Sequence, residues 1–137
     1  MPIFINDTAV SALVDSGNTA GNCISLSFAR KLGLKDDDIE SIKDRIGTAK
    51  KGESLQVVGK TKQRMKIRFG GLNFSYKTRP FVIKHLTSNV NISLPFLEKH
   101  KIDQIHSTKC LKVKGKSVKM HSYKTEFGVN EIKQRSL

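Results

Sequence analysis

Tryptophan is absent from this chain, cysteine and tyrosine occur twice each, and proline three times. Cys23 and Cys110 are far apart and set in apolar patterns. That argues against a disulfide framework and for reduced core thiols, which implies an intracellular setting. No apolar run is long enough to span a membrane. No signal peptide is apparent: Met1-Pro2-Ile3-Phe4-Ile5-Asn6 reads as a strand that begins at once, as expected of a domain cut from a longer chain. The four histidines, His85, His100, His106 and His121, are scattered without the short spacing of zinc ligands. Cys23 has no evident histidine partner, which argues against a Cys–His nucleophile. Asp36-Asp37-Asp38 are consecutive, so their side chains diverge, and no glycine-bearing calcium loop follows; they read as a solvated face. Gly70-Gly71 sits between two alternating stretches and reads as a turn rather than a phosphate-binding loop. No metal and no cofactor are expected.

Acidic residues are also few, 12 against 25 Lys and Arg, for a net charge of +13. The imbalance is uneven. Residues 1–45 hold five Lys/Arg and seven Asp/Glu, and residues 46–137 hold twenty and five. Such a charge attracts polyanions in general. Many of the lysines alternate with apolar residues, as in Lys112-Val113-Lys114, which is the pattern of a solvated strand face. No aromatic-rich binding motif accompanies them, so the nucleic-acid reading is confined to weak nonspecific RNA contact.

The 137 residues suit one domain with a core of its own. Residues 2–6 and 9–14 read as two strands joined by a turn at Asp7-Thr8. The polar loop Asn18-Thr19-Ala20-Gly21-Asn22 leads to a short extended piece, Cys23-Ile24-Ser25. Leu26, Phe28, Ala29 and Leu32 have helical spacing over 26–34, with Ser25 or Ser27 as cap and Gly33 as stop. Asp36 or Asp37 caps a brief turn running through Ile39 and Ile42. Strands are expected at 46–49 and 54–58 around a Lys50-Lys51-Gly52-Glu53 turn, with Gly59 as a break. Further strands are expected at 65–69, 72–76, 79–83, 90–94 and 102–106, and a hairpin at 111–120 around Gly115. Residues 95–100 form a short helix with Pro95 in its first turn. The class is mainly β, a small closed or sandwich-like domain with one or two short helices.

Within that frame, Ala12-Leu13-Val14-Asp15-Ser16-Gly17 holds the chemistry. Three apolar residues end a buried strand, and Gly17 lets the chain turn sharply. Asp15 is thereby held by a rigid element, which suits a working carboxylate. The same string is also an ordinary strand-closing turn, so its meaning rests on its surroundings.

The order of those surroundings resembles the retropepsin-like aspartic proteases, particularly those of LTR retrotransposons and retrovirus-like elements. The 12–17 motif resembles their catalytic strand and turn. Asn22-Cys23-Ile24-Ser25 resembles the segment leaving the active-site loop, and Ala29-Arg30-Lys31-Leu32-Gly33-Leu34 the end of the following helix. Residues 48–59 resemble the flap hairpin, with Ala49, Lys50, Lys51, Gly52 and Glu53 as the flap and substrate-contacting residues. Phe81-Val82-Ile83 and residues 92–102 resemble the late strand and short helix, and 111–120 the closing hairpin. The resemblance covers residues 1–121 and leaves 122–137 as a tail, either an interface strand or disordered. Two features depart from the family: the loop after Gly17 is one residue longer, and Ser93, preceded by Asn91-Ile92, stands where a glycine is usual.

The resemblance implies a closed-barrel-like acid-protease fold and peptide hydrolysis by two carboxylates sharing one proton. The chain has one strand-Asp-Ser-Gly unit, since Asp103 lacks a glycine turn and Asp7 sits in a hairpin. The partner carboxylate must then come from a second copy, making the protein a homodimer with Asp15 facing Asp15 across a two-fold axis. Ser16 would brace the loop across the dimer, and Gly17 would bring its amide to the dyad. The expected activity is an endopeptidase acting on its own polyprotein, in the cytoplasm or inside a virus-like particle, with no membrane association. A retropepsin-like dimerisation or binding domain with weak or no activity is the alternative. A basic β-domain that binds RNA is the third reading.

Overall fold

The computed structural model describes residues 1–42, 46–47 and 54–120. The chain opens with a hairpin of β1 (Pro2–Ile5) and β2 (Thr8–Asp15), in register Pro2↔Ser11 to Ile5↔Thr8. Its turn is Asn6-Asp7, one residue earlier than the expected Asp7-Thr8, with φ of 45° and 67°. A two-residue hairpin turn of the type I′ kind needs left-handed backbone at both positions, and Asn and Asp accept it more readily than Thr.

The long strand β2 serves two neighbours. Its first half pairs with β1, and its second half runs parallel to β11 (Val90–Ser93), in register Val90↔Ala12 to Ser93↔Asp15. Beyond β11 lie β3 (Cys23–Ser25), β10 (Phe81–Ile83), β7 (Val57–Thr61) and β4 (Ile39–Glu40). Beyond β1 lie β8 (Met65–Phe69) and β9 (Tyr76–Thr78). The resulting nine-stranded sheet has the order β4-β7-β10-β3-β11-β2-β1-β8-β9. Two short strands, β5 (Ile46–Gly47) and β6 (Ser54–Leu55), pair antiparallel. A three-stranded sheet of β12 (Asp103–Ile105), β13 (Cys110–Val113) and β14 (Lys116–Lys119) follows, its last hairpin turning on Lys114-Gly115. Ile3, Ile5, Ile24, Ile67, Phe69 and Ile92 are among the fully buried side chains of the core.

Helix α1 (Leu26–Lys31) starts on Ser25, whose hydroxyl accepts from the Phe28 amide at 3.1 Å. It stops short of the expected residue 34 because Leu32 to Leu34 form its C-terminal cap. The Gly33 amide donates to the Arg30 carbonyl and the Leu34 amide to the Ala29 carbonyl, each at 3.0 Å, with Gly33 at φ 89°. Helix α2 (Leu94–Lys99) starts on Ser93 with Pro95 in its first turn. It ends the same way, with Lys101 at φ 53° and the Ile102 amide donating to the Leu97 carbonyl at 2.8 Å. Between β9 and α2, His100 packs 4.3 Å from the Tyr76 ring and 4.6 Å from Phe96. Burial, with Lys99 and Lys114 nearby, lowers its pKa and so favours the neutral imidazole.

Four other expectations shift. The expected strand at 72–76 is confined to β9, because Gly71 at φ 85° and the Leu72-to-Phe69 amide bond hold the start of that stretch in a turn. The expected strand at 79–83 begins at Phe81, since Pro80 has no amide hydrogen to give to a ladder. The turn expected through Ile39 and Ile42 is instead a single 3-10 turn over Asp36–Asp38 followed by β4. There Asp36 pairs with Arg30 at 2.6 Å on an exposed surface. Cys23 is buried as expected, whereas Cys110 is only half-buried.

Gly59 is not a break. It lies inside β7, where β4 passes so closely that a Cβ would collide with the Glu40 carbonyl oxygen and sit 2.7 Å from Ile39 Cγ2. Gly59→Ala is therefore expected to lower unfolding stability by about 1–3 kcal/mol, read by urea denaturation.

Candidate active site

Asp15 is the last residue of β2, half-buried, at the point where the sheet gives way to the loop. The chain turns at once, with the Asn18 amide donating to the Asp15 carbonyl at 3.0 Å. Each carboxylate oxygen of Asp15 has its own donor. The Gly17 amide donates to Oδ1 at 3.0 Å, and Asn91 Nδ2 donates to Oδ2 at 3.1 Å. Ser16 and Gly17 are exposed beside it.

Asn18 organises the loop that follows. Its Nδ2 donates to the Gly21 carbonyl and to Asn91 Oδ1, both at 2.8 Å. Its Oδ1 accepts from the amides of Ala20 and Gly21 at 3.0 and 3.3 Å. Its backbone carbonyl accepts from the Leu94 amide at 2.9 Å, which fastens the loop to the start of α2.

A second polar centre lies beneath. Asn22 is 6 % exposed and Ser93 1 %. Asn22 Oδ1 accepts from both the Ser93 amide, at 2.8 Å, and the Ser93 hydroxyl, at 3.0 Å. Asn22 Nδ2 donates to Thr78 Oγ1 at 3.1 Å. The Ser93 hydroxyl also accepts from the Phe96 amide at 3.4 Å, capping α2. Serine thus fits where the resemblance leads one to expect glycine, because each hydrogen-bonding role of its hydroxyl is filled.

Cys23 lies close by and is inert. Burial pushes its thiol up to about 11, Asn18 opposes that through a hydrogen bond, and the Asp15 charge adds to the rise. The thiol stays protonated near neutrality and is not a nucleophile. His85 and His106 are exposed at separate places, and His100 is committed to its aromatic neighbours. His121 lies outside the described residues.

Of the site residues expected from the sequence, Asp15 ends β2, and Ser16 and Gly17 form the turn after it. Ala49, Lys50, Lys51, Gly52 and Glu53 lie outside the described residues, as does 122–137. The arms of that hairpin are present as β5 and β6, paired Ile46↔Leu55 and Gly47↔Ser54. Sequence reasoning missed Asn91, Asn18 and Asn22 as site residues. The signal for Asn91 was there: an amide between Val90 and Ile92 interrupts an apolar strand, and a buried polar residue in such a place needs partners.

Asn22→Ala would strip the acceptor from two buried Ser93 donors. It is expected to cost about 2–4 kcal/mol of unfolding stability, read by chemical denaturation.

No family model and no curated protein sequence matches this chain. Solved structures do. The retroviral protease-like domain of Ddi1 from Leishmania major superposes with a TM-score of 0.68 at 19% identity, covering 88% of this chain and 90% of that one. EIAV protease complexed with the inhibitor HBY-793 gives 0.58 at 18% identity, covering 77% and 89%. A retropepsin-like aspartic protease from Rickettsia conorii gives 0.52 at 18% identity, covering 75% and 73%. The predominance of strands and the two short helices among the described residues, with these superpositions, give the chain the retropepsin-like fold.

Proposed function

We propose that this chain is one half of an aspartic endopeptidase, a homodimer that hydrolyses peptide bonds of a polyprotein. The observation that carries the reading is Asp15 itself: a carboxylate with a donor on each oxygen, at the end of β2 in a retropepsin-like fold. A second copy related by a two-fold axis would supply the other carboxylate.

Two carboxylates facing each other across that axis would resist joint ionisation and hold one proton between them. The ionised member takes a proton from water as the water attacks the scissile carbonyl carbon. The protonated member donates to the carbonyl oxygen as it becomes tetrahedral. Collapse then expels the amine, which takes a proton from the member that deprotonated the water, while the other member takes a hydroxyl proton from the tetrahedral diol, so that a carboxylic acid forms and the dyad again holds one proton. Ser16 would bond across the dimer and brace the two loops, and Gly17 would keep its amide at the dyad. Residues 49–53 would tip a flap that closes over the peptide and excludes water. A retrotransposon or retrovirus-like origin, with action in the cytoplasm or inside a virus-like particle, accompanies this reading. The net charge of +13 favours weak nonspecific RNA contact as an accessory property.

A second reading keeps the fold and the dimer but not the activity. It is favoured by the fit to the Ddi1 domain, described as protease-like, along most of both chains.

Cleavage of a longer precursor containing this domain separates the two. The wild-type precursor is expected to be processed at mildly acid to neutral pH, with pepstatin-type inhibitors blocking it and Asp15→Asn abolishing it. A dimer that leaves every tested junction intact supports the second reading.

A further inference from the structure

We propose that Asn91 is a positioning residue for Asp15, an inference that rests on the reading of Asp15 as the catalytic carboxylate. Asn91 lies on β11 between β2 and β3, opposite Leu13 on one side and Cys23 on the other. It is 5 % exposed, and its strand neighbours Val90 and Ile92 are buried apolar residues. An amide in that place is costly unless both of its ends are bonded. Both are. Nδ2 donates to Asp15 Oδ2 at 3.1 Å, and Oδ1 accepts from Asn18 Nδ2 at 2.8 Å.

The orientation of the amide follows from its partners. An ionised carboxylate only accepts, so Asn91 must turn its nitrogen to Asp15, and Asn18 then donates to the oxygen that remains. Asn18 is fixed in turn by the Gly21 carbonyl and by the amides of Ala20 and Gly21. Gly17 holds the opposite oxygen of the carboxylate from the turn. Rotating the Asp15 carboxylate breaks the bond to Gly17, the bond to Asn91, or both. Asn91 thus sets the plane in which Asp15 presents its oxygens, and it does so from a strand rather than a loop.

The variant Asn91→Asp separates this role from mere bracing of Asn18. It keeps the shape of the side chain and the acceptor that Asn18 uses, and it replaces the donor facing Asp15 with an oxygen. On a peptide spanning a junction that the wild-type precursor cleaves, kcat is expected to fall roughly tenfold or more with KM within about twofold. An unchanged kcat overturns the proposal. A second readout needs neither activity nor an Asn91 variant. In the ¹⁵N-labelled wild-type chain, the Asn91 side-chain amide resonances should move as Asp15 titrates and stay still in Asp15→Asn. Resonances that ignore Asp15 overturn the contact. If the wild type shows no Asp15-dependent cleavage, the proteolytic reading falls, and the amide titration still decides whether Asn91 holds Asp15.

Discussion

The parallel pairing of β2 with β11 is the constraint on which the rest of the site depends. It sets Ser93 opposite Asp15 and brings Asn91 within reach of the carboxylate. It also sends the chain from β11 straight into α2, so that one residue, Ser93, ends the strand, caps the helix and holds Asn22. Parallel neighbours cannot be joined by a tight turn, so everything between residues 15 and 90 must be routed around this pair. That route supplies β3 and β10 on one side of the pair and β8 on the far side of β1.

Buried polar groups are the second theme. Asn91 and Ser93 lie in β11 and Asn22 just ahead of β3, all three buried where aliphatic residues would pack without any need for partners. Asn91 bonds Asp15 and Asn18, while Asn22 and Ser93 bond each other, Thr78 and the start of α2, and satisfied buried polar groups of this kind rigidify what they touch. The loop after Gly17 is tied together by the Asn18 side chain, which bonds the Gly21 carbonyl and the amides of Ala20 and Gly21. Rigid support is what a carboxylate needs if its oxygens are to meet a water and a peptide carbonyl in fixed directions.

The strands and helices were legible because local chemistry agreed with the fold. Ser25 stands at one helix start and Pro95 in the first turn of the other, Gly33 at a helix stop, and Gly115 at a hairpin turn. Asp15 was legible as a strand-end carboxylate for the same reason. What local reading misplaced was decided by partners far along the chain. Gly59 reads as a break until β4 is seen lying against it. The alternation from Leu72 to Tyr76 reads as a strand, yet only Tyr76 onward finds a ladder on β8. Asn91 reads as an oddity in an apolar run, because Asp15 is 76 positions away and Asn18 is 73.

The proposed Asp15–Asp15 dyad makes each chain one half of an active site. It is tested most directly by refolding a fixed amount of wild-type chain with increasing amounts of the Asp15→Asn chain and following cleavage of the precursor. A shared dyad predicts that cleavage falls as mixed dimers replace wild-type ones, toward zero at large excess. Cleavage that stays constant while mixed dimers form would contradict it.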